Sequence, residues 1–127
     1  QQVSSAESDV YKRQNNSLIS VCLICFVIGA ILKTSQGSST SAMIITSSLI
    51  FPLISKYNFT NFDIVMVTLS IGAGSMMISH VNDSYFWIVS KKSEMNLQNS
   101  LKYFSIMTVF QSLSTILFIS LIILIST

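Results

Sequence analysis

The sequence predicts an all-α integral membrane protein. Half of its 127 residues are hydrophobic, only 9% are charged, and the few charges cluster between apolar runs. Mean hydropathy is +0.65. A soluble domain averages about 25% charged residues, so a water-facing surface can hardly be built from this set. The net charge of +2 is too weak and scattered for nucleic-acid binding.

Residues 1–14 (QQVSSAESDVYKRQ) stand apart from the rest. They hold Glu7, Asp9, Lys12 and Arg13 and lead into nothing periodic. No small-x-small cleavage site follows the next apolar run, so they are not a signal peptide. The string SSAESDVYKRQ looks like translated sequencing-adapter DNA. The expectation is a non-native segment, or else a disordered tail. Native sequence is then expected from near Asn15, with 15–127 a C-terminal fragment of a larger protein.

Two apolar arms come first, 18–32 and 42–55, the second interrupted by Pro52. Between them lies the polar stretch Lys33-Thr34-Ser35-Gln36-Gly37-Ser38-Ser39-Thr40-Ser41. At a helical rise of about 1.5 Å per residue, each arm is shorter than the ~30 Å of a bilayer core. Two architectures fit residues 17–55. One is a re-entrant hairpin whose tip stops inside the membrane; the other is two short spanning helices joined at the surface.

A broken helix is expected over 64–90. Its apolar runs, 64–79 and 85–90, are interrupted by Gly72-Ala73-Gly74-Ser75 and His80-Val81-Asn82-Asp83-Ser84. Irregular backbone at membrane depth needs protein or a watery cavity to satisfy its amides. Gly-interrupted apolar segments are the best sequence pointer to a transporter's binding site. The last helix, 103–126, is the one run long enough to cross unaided, with Gln111 its only strongly polar side chain.

Orientation follows from lysines. Lys91, Lys92 and Lys102 precede the last helix, whereas 56–63 holds one Lys and one Asp. The positive-inside bias makes 91–102 cytoplasmic and brings the hairpin tip in from outside. Tyr85, Phe86 and Trp87 fit an interfacial aromatic belt.

Candidate site residues lie at the tip and the break. His80 and Asp83 are the ionisable groups of the broken crossing, and buried charge in lipid defaults to function. His titrates near neutral pH, and a buried carboxylate can also carry a proton. Alternatively the HVND turn is hydrated at the membrane surface. Lys33 either balances a substrate carboxylate or snorkels to the interface. Ser38, Ser39 and Thr40, with amides freed beside Gly37, offer hydrogen bonds to an anion. Cys22 and Cys25 read as packing residues, because no second Cys pair or nearby His completes a metal or redox site.

Residues 32–43 (LKTSQGSSTSAM) resemble the signature of the gluconate permease family, proton-coupled symporters for gluconate and related sugar acids. So do 71–75 (IGAGS) followed by 79–87 (SHVNDSYFW), and Leu101-Lys102 before a last long helix. The resemblance covers about 17–127. One departure is Tyr85, where many members carry a small residue, so the substrate pocket there is expected to differ.

The resemblance implies the C-terminal half of an inverted-repeat ion-transporter-type fold in the bacterial inner membrane, multi-pass. The 36–40 tip would be a re-entrant hairpin end, and 72–83 a broken helix meeting it near the midplane. The implied substrate- and ion-binding residues are Lys33, Gln36, Gly37, Ser38, Ser39, Thr40, Gly72, Gly74, Ser75, His80, Asn82 and Asp83. No metal or cofactor is implied beyond the proton as coupling ion. Partners are gluconate or a related small carboxylate and the lipid bilayer, with a homo-oligomer left open. Two alternatives are an intramembrane serine hydrolase using Ser75 and His80, and a small structural membrane subunit.

Overall fold

The computed structural model describes residues 2–56 and 59–126, with side chains described from Ser17 onward. The described elements are helical: α1 (Gln2–Gln36), α2 (Ser39–Lys56), α3 (Asn61–Gly74), α4 (Ser84–Lys92) and α5 (Leu97–Ile125). Gln1 and the side chains of 2–16 lie outside the described residues; the backbone of 2–14, expected as a non-native segment or a disordered tail, is helical and begins α1.

Helix α1 does not stop where its apolar run stops. It continues past Lys33 to Gln36. Gly37 then adopts φ +71°, and its N–H donates to the Lys33 carbonyl at 2.8 Å. That left-handed cap suits a residue with no Cβ. One residue on, Ser38 Oγ accepts the Ser41 N–H at 3.3 Å and caps α2. The polar stretch 33–41 is therefore mostly helical, with only Gly37 and Ser38 between the two helices. Helix α2 runs on through Pro52 to Lys56.

This extension changes the count of crossing-length helices. Ser17–Gln36 is 20 residues and Leu97–Ile125 is 29, both long and apolar enough to span a membrane. The apolar runs alone had promised one. A charge normally ends such a run, but Lys33 is neutralised within the fold.

Helix α3 starts on a capping box. Thr60 Oγ1 accepts the Asp63 N–H at 3.3 Å while Asp63 Oδ2 accepts the Thr60 N–H at 2.9 Å. The chain then leaves helical geometry over 75–83 before α4. The 91–102 connector is shorter than its lysines suggest. Asn96 Oδ1 accepts the Asn99 N–H at 2.8 Å and starts α5 at Leu97. Ser100–Phe104 forms a π-helical turn within α5.

Helix α3 is the centre, with α1, α2 and α5 against it. Leu18, Cys22, Cys25 and Phe26 of α1 meet Met66, Val67, Ile71 and Ala73 of α3, and Ile116, Ile119 and Ile123 of α5 close the cluster. The backbones of α1 and α3 approach so closely that a Cβ on Gly74 would overlap the Phe26 carbonyl. Polarity is partly inverted relative to a soluble domain: Lys33, Thr46, Ser70, Ser75, Ser100 and Ser112 are all buried, while Phe51, Phe110, Leu117 and Leu124 are exposed. Phe86 is also fully buried, packed on Phe104 at 6.1 Å. It belongs to the interior rather than to an interfacial belt.

Candidate functional site

The C-terminal turn of α1 and the non-helical 75–83 segment interlock. Lys33 Nζ lies 2.6 Å from Asp83 Oδ2, with the two side chains 1% and 7% exposed. Snorkelling is thereby ruled out for Lys33. Ser79 Oγ donates to the same carboxylate oxygen at 2.5 Å. The other oxygen, Oδ1, accepts the Tyr85 N–H at 3.0 Å and caps α4. Lys33 also donates to the Gly37 carbonyl at 3.3 Å. A cation at a helix C-terminus is favoured by the exposed carbonyl dipoles there. An ion pair this buried is costly to break, about 3–5 kcal/mol if one partner is removed.

Two further contacts lock the same junction. Asn82 Nδ2 donates to the carbonyls of Thr34 and Ser35, at 3.2 and 3.4 Å. Carbonyls in the last turn of a helix have no intrahelical donor, and Asn82 supplies one. In the other direction, the Asn82 backbone packs into the space beside Gly37 that a Cβ would fill. Inside the break, the Asp83 N–H donates to the His80 carbonyl at 2.8 Å, and Trp87 Nε1 donates to the Val81 carbonyl at 2.8 Å.

Helix α5 supplies three more hydrogen bonds at and beside the break. The Ser79 N–H donates to Thr108 Oγ1 at 3.2 Å, Ser105 Oγ donates to the Ser79 carbonyl, and Ser112 Oγ donates to the Ala73 carbonyl at 2.6 Å. In hydrocarbon such groups have no water to turn to, so side-chain hydroxyls take its place. Sequence reasoning missed Ser79 as a carboxylate partner, and missed Ser105, Thr108 and Ser112 altogether. A signal was present: positions 105, 108 and 112 share one helix face. Gln111, the polar residue singled out beforehand, is exposed.

Of the expected site residues, Lys33, Gly37, Asn82 and Asp83 are brought together. Ser38 and Ser39 are half-buried at the start of α2, and Gln36 and Thr40 are exposed. Gly72 is half-buried, and a Cβ there would meet nothing within 4 Å. The His80 ring is half-buried with Nδ1 3.4 Å from the Ile78 carbonyl. Ser75 Oγ is buried without a hydrogen-bond partner, so the nucleophile–base pair a serine hydrolase requires is not formed. Among the described residues, no group of three His, Cys, Asp or Glu side chains is placed to hold a metal.

Comparison with known proteins gives one family. The model for the "GntP family permease" matches residues 2–125. The chain is 31% identical over 87 residues to a low-affinity gluconate transporter of Escherichia coli K12, covering 68% of this chain and 20% of that protein. It is 34% identical over 89 residues to the Gnt-II system L-idonate transporter of the same strain, covering 70% and 20%. A gluconate permease of Bacillus subtilis 168 is 29% identical over 115 residues, covering 91% and 24%. The chain thus spans between a fifth and a quarter of the length of these relatives. No solved structure matches.

Proposed function

This chain belongs to the GntP family of permeases, and from that membership we propose that it forms part of a proton-coupled importer of gluconate or a related sugar acid. Relatives named for gluconate and for L-idonate support the sugar-acid class. The observation that carries the proposal is the buried Lys33–Asp83 pair where the α1–α2 turn meets the break before α4. Charge at membrane depth is costly and is kept where it acts on a substrate or ion.

The substrate carboxylate is taken by the hydroxyls of Ser38, Ser39 and Thr40, with the free N–H groups at the start of α2 and the cation of Lys33. Gln36, Gly37, Gly72, Gly74, Ser75 and Asn82 shape the surrounding backbone. His80 or Asp83 carries the coupled proton, and no other cofactor is required. The 17–55 segment is a re-entrant hairpin, and 64–90 a broken helix of one half of an inverted-repeat fold. The permease is multi-pass in a bacterial inner membrane, with 91–102 cytoplasmic, and a homo-oligomer is compatible with the apolar outer faces of α2 and α5.

The test is uptake by cells expressing the full-length permease that carries this segment. Adding gluconate to lightly buffered cells is expected to make the medium more alkaline as protons enter with substrate. Uptake with no such alkalinisation removes the symport, and no uptake of any sugar acid removes the substrate class.

A further inference from the structure

We propose that Lys33 and Asp83 form an exchange pair, so that Asp83 is the proton site and its protonation hands Lys33 to the substrate carboxylate. This rests on the sugar-acid symport proposed above and says which group couples the two fluxes, with what stoichiometry.

The geometry of Asp83 carries the inference. Oδ2 holds both Lys33 Nζ, at 2.6 Å, and Ser79 Oγ, at 2.5 Å, in the interior. Lys33 is the sole ion-pair partner of Asp83 among the described residues. Its uncharged neighbours are Ser79 and the Tyr85 amide, and the hydrogen bonds that α5 makes beside it, through Ser105 and Thr108, go to the backbone of Ser79. His80, three residues earlier, directs Nδ1 at the Ile78 carbonyl, a local contact that ties it to no other element. A proton on His80 would leave the Lys33–Asp83 bond intact. A proton on Asp83 Oδ2 removes the negative charge that holds Lys33.

Charge balance then enforces coupling. In the empty state the ammonium and carboxylate sum to zero. When a proton from outside adds to Oδ2, Asp83 becomes neutral and Lys33 is left as a buried, unpaired cation, which is strongly unfavourable. A sugar-acid carboxylate cancels it: the ammonium–Asp83 contact breaks and an ammonium–substrate contact forms. Ser38, half-buried beside Gly37, lies one residue beyond the carbonyl that Lys33 already contacts. On the inner side the carboxylate leaves, Asp83 releases its proton, and Lys33 returns to Oδ2. Loaded and empty states both carry zero net charge. Neither proton nor anion alone gives a neutral site, so transport is one proton per carboxylate and electroneutral.

The experiment uses the full-length permease in proteoliposomes with labelled gluconate. For the unaltered protein, accumulation is expected to rise about tenfold per unit of imposed pH gradient, because one pH unit and one decade of concentration are the same free energy. It should not respond to a membrane potential imposed at constant pH. Asp83→Asn copies the protonated state and keeps an oxygen for the Tyr85 N–H. It is expected to lose pH-driven accumulation, with the gradient settling near one, while still exchanging labelled for unlabelled gluconate. That exchange also reports folding.

Three results overturn the exchange pair: accumulation driven by potential, pH-driven accumulation surviving in Asp83→Asn, or loss of exchange in Asp83→Asn reconstituted as a monodisperse protein. Coupling lost in His80→Gln but kept in Asp83→Asn would move the proton site to His80. If the unaltered permease neither accumulates nor exchanges gluconate or L-idonate, it is the underlying transport proposal that fails.

Discussion

The backbone of Asn82 occupies the space where a side chain on Gly37 would begin. Gly37 is doubly constrained, since it also carries the left-handed φ of +71° that ends α1. Its lack of a Cβ lets the α1–α2 turn sit directly on the 75–83 segment, which in turn brings Lys33 to Asp83.

Gly37→Ala should therefore be poorly tolerated. The left-handed backbone alone costs a non-glycine residue about 1–2 kcal/mol, and the overlap with Asn82 backbone cannot be relieved by a side-chain rotation. The expected result is a clear fall in the thermal midpoint of the purified permease and loss of gluconate uptake. Normal stability and uptake in this variant would show that the turn and the break do not meet as described.

Lys33→Met leaves Asp83 buried without its counter-charge, at a cost of about 3–5 kcal/mol. Adding Asp83→Asn removes the orphaned charge, so the double variant should recover much of that stability while remaining unable to take up gluconate. Thermal unfolding of the two single variants and the double variant measures the coupling directly. Strictly additive losses would contradict a direct ion pair.

Two glycines two residues apart should behave oppositely. A Cβ on Gly74 would overlap the Phe26 carbonyl, whereas one on Gly72 meets nothing within 4 Å. Gly74→Ala is expected to destabilise by about 1–3 kcal/mol as α1 and α3 are pushed apart. Gly72→Ala should not lower the thermal midpoint, because Ala is the better helix former by about 1 kcal/mol. Equal effects of the two would refute the α1–α3 contact.

Thr108→Val keeps the shape of the side chain and removes the acceptor for the Ser79 N–H. Leaving a buried donor unpaired costs about 1–3 kcal/mol. Because Ser79 also holds Asp83, both stability and uptake should drop, while Thr115→Val, half-buried on the same helix with its hydroxyl bonded within its own turn to the Gln111 carbonyl, should leave the midpoint within about 0.5 kcal/mol of the original. Indistinguishable midpoints for the two variants would argue against α5 as the partner of the break.

Some residues of the candidate cluster were conspicuous before any fold was known. Scarce charge made each remaining ionisable residue conspicuous, and Lys33, His80 and Asp83 stood out for that reason, whereas Asn82 entered only with the motif that resembles the family. Their roles were not legible. Lys33 offered two uses, and the contact it makes, an ion pair with Asp83 50 residues away, was neither of them. The polar face of α5 was present as Ser105, Thr108 and Ser112 but looked like ordinary small residues in an apolar helix, because a hydroxyl signals nothing until the group it satisfies is known.

Composition and local chemistry determined what depends on each residue's own free energy of transfer: a membrane chain, helices throughout, a polar tip within 33–41, and a break in the helix between the apolar runs 64–79 and 85–90. Tertiary structure decided what depends on partners. It let α1 run past a lysine, drew Phe86 inward, and left Ser75 without a base to activate it. In a low-dielectric interior a charge or an open amide is tolerated only when a specific neighbour answers it, and no local stretch of sequence contains that neighbour.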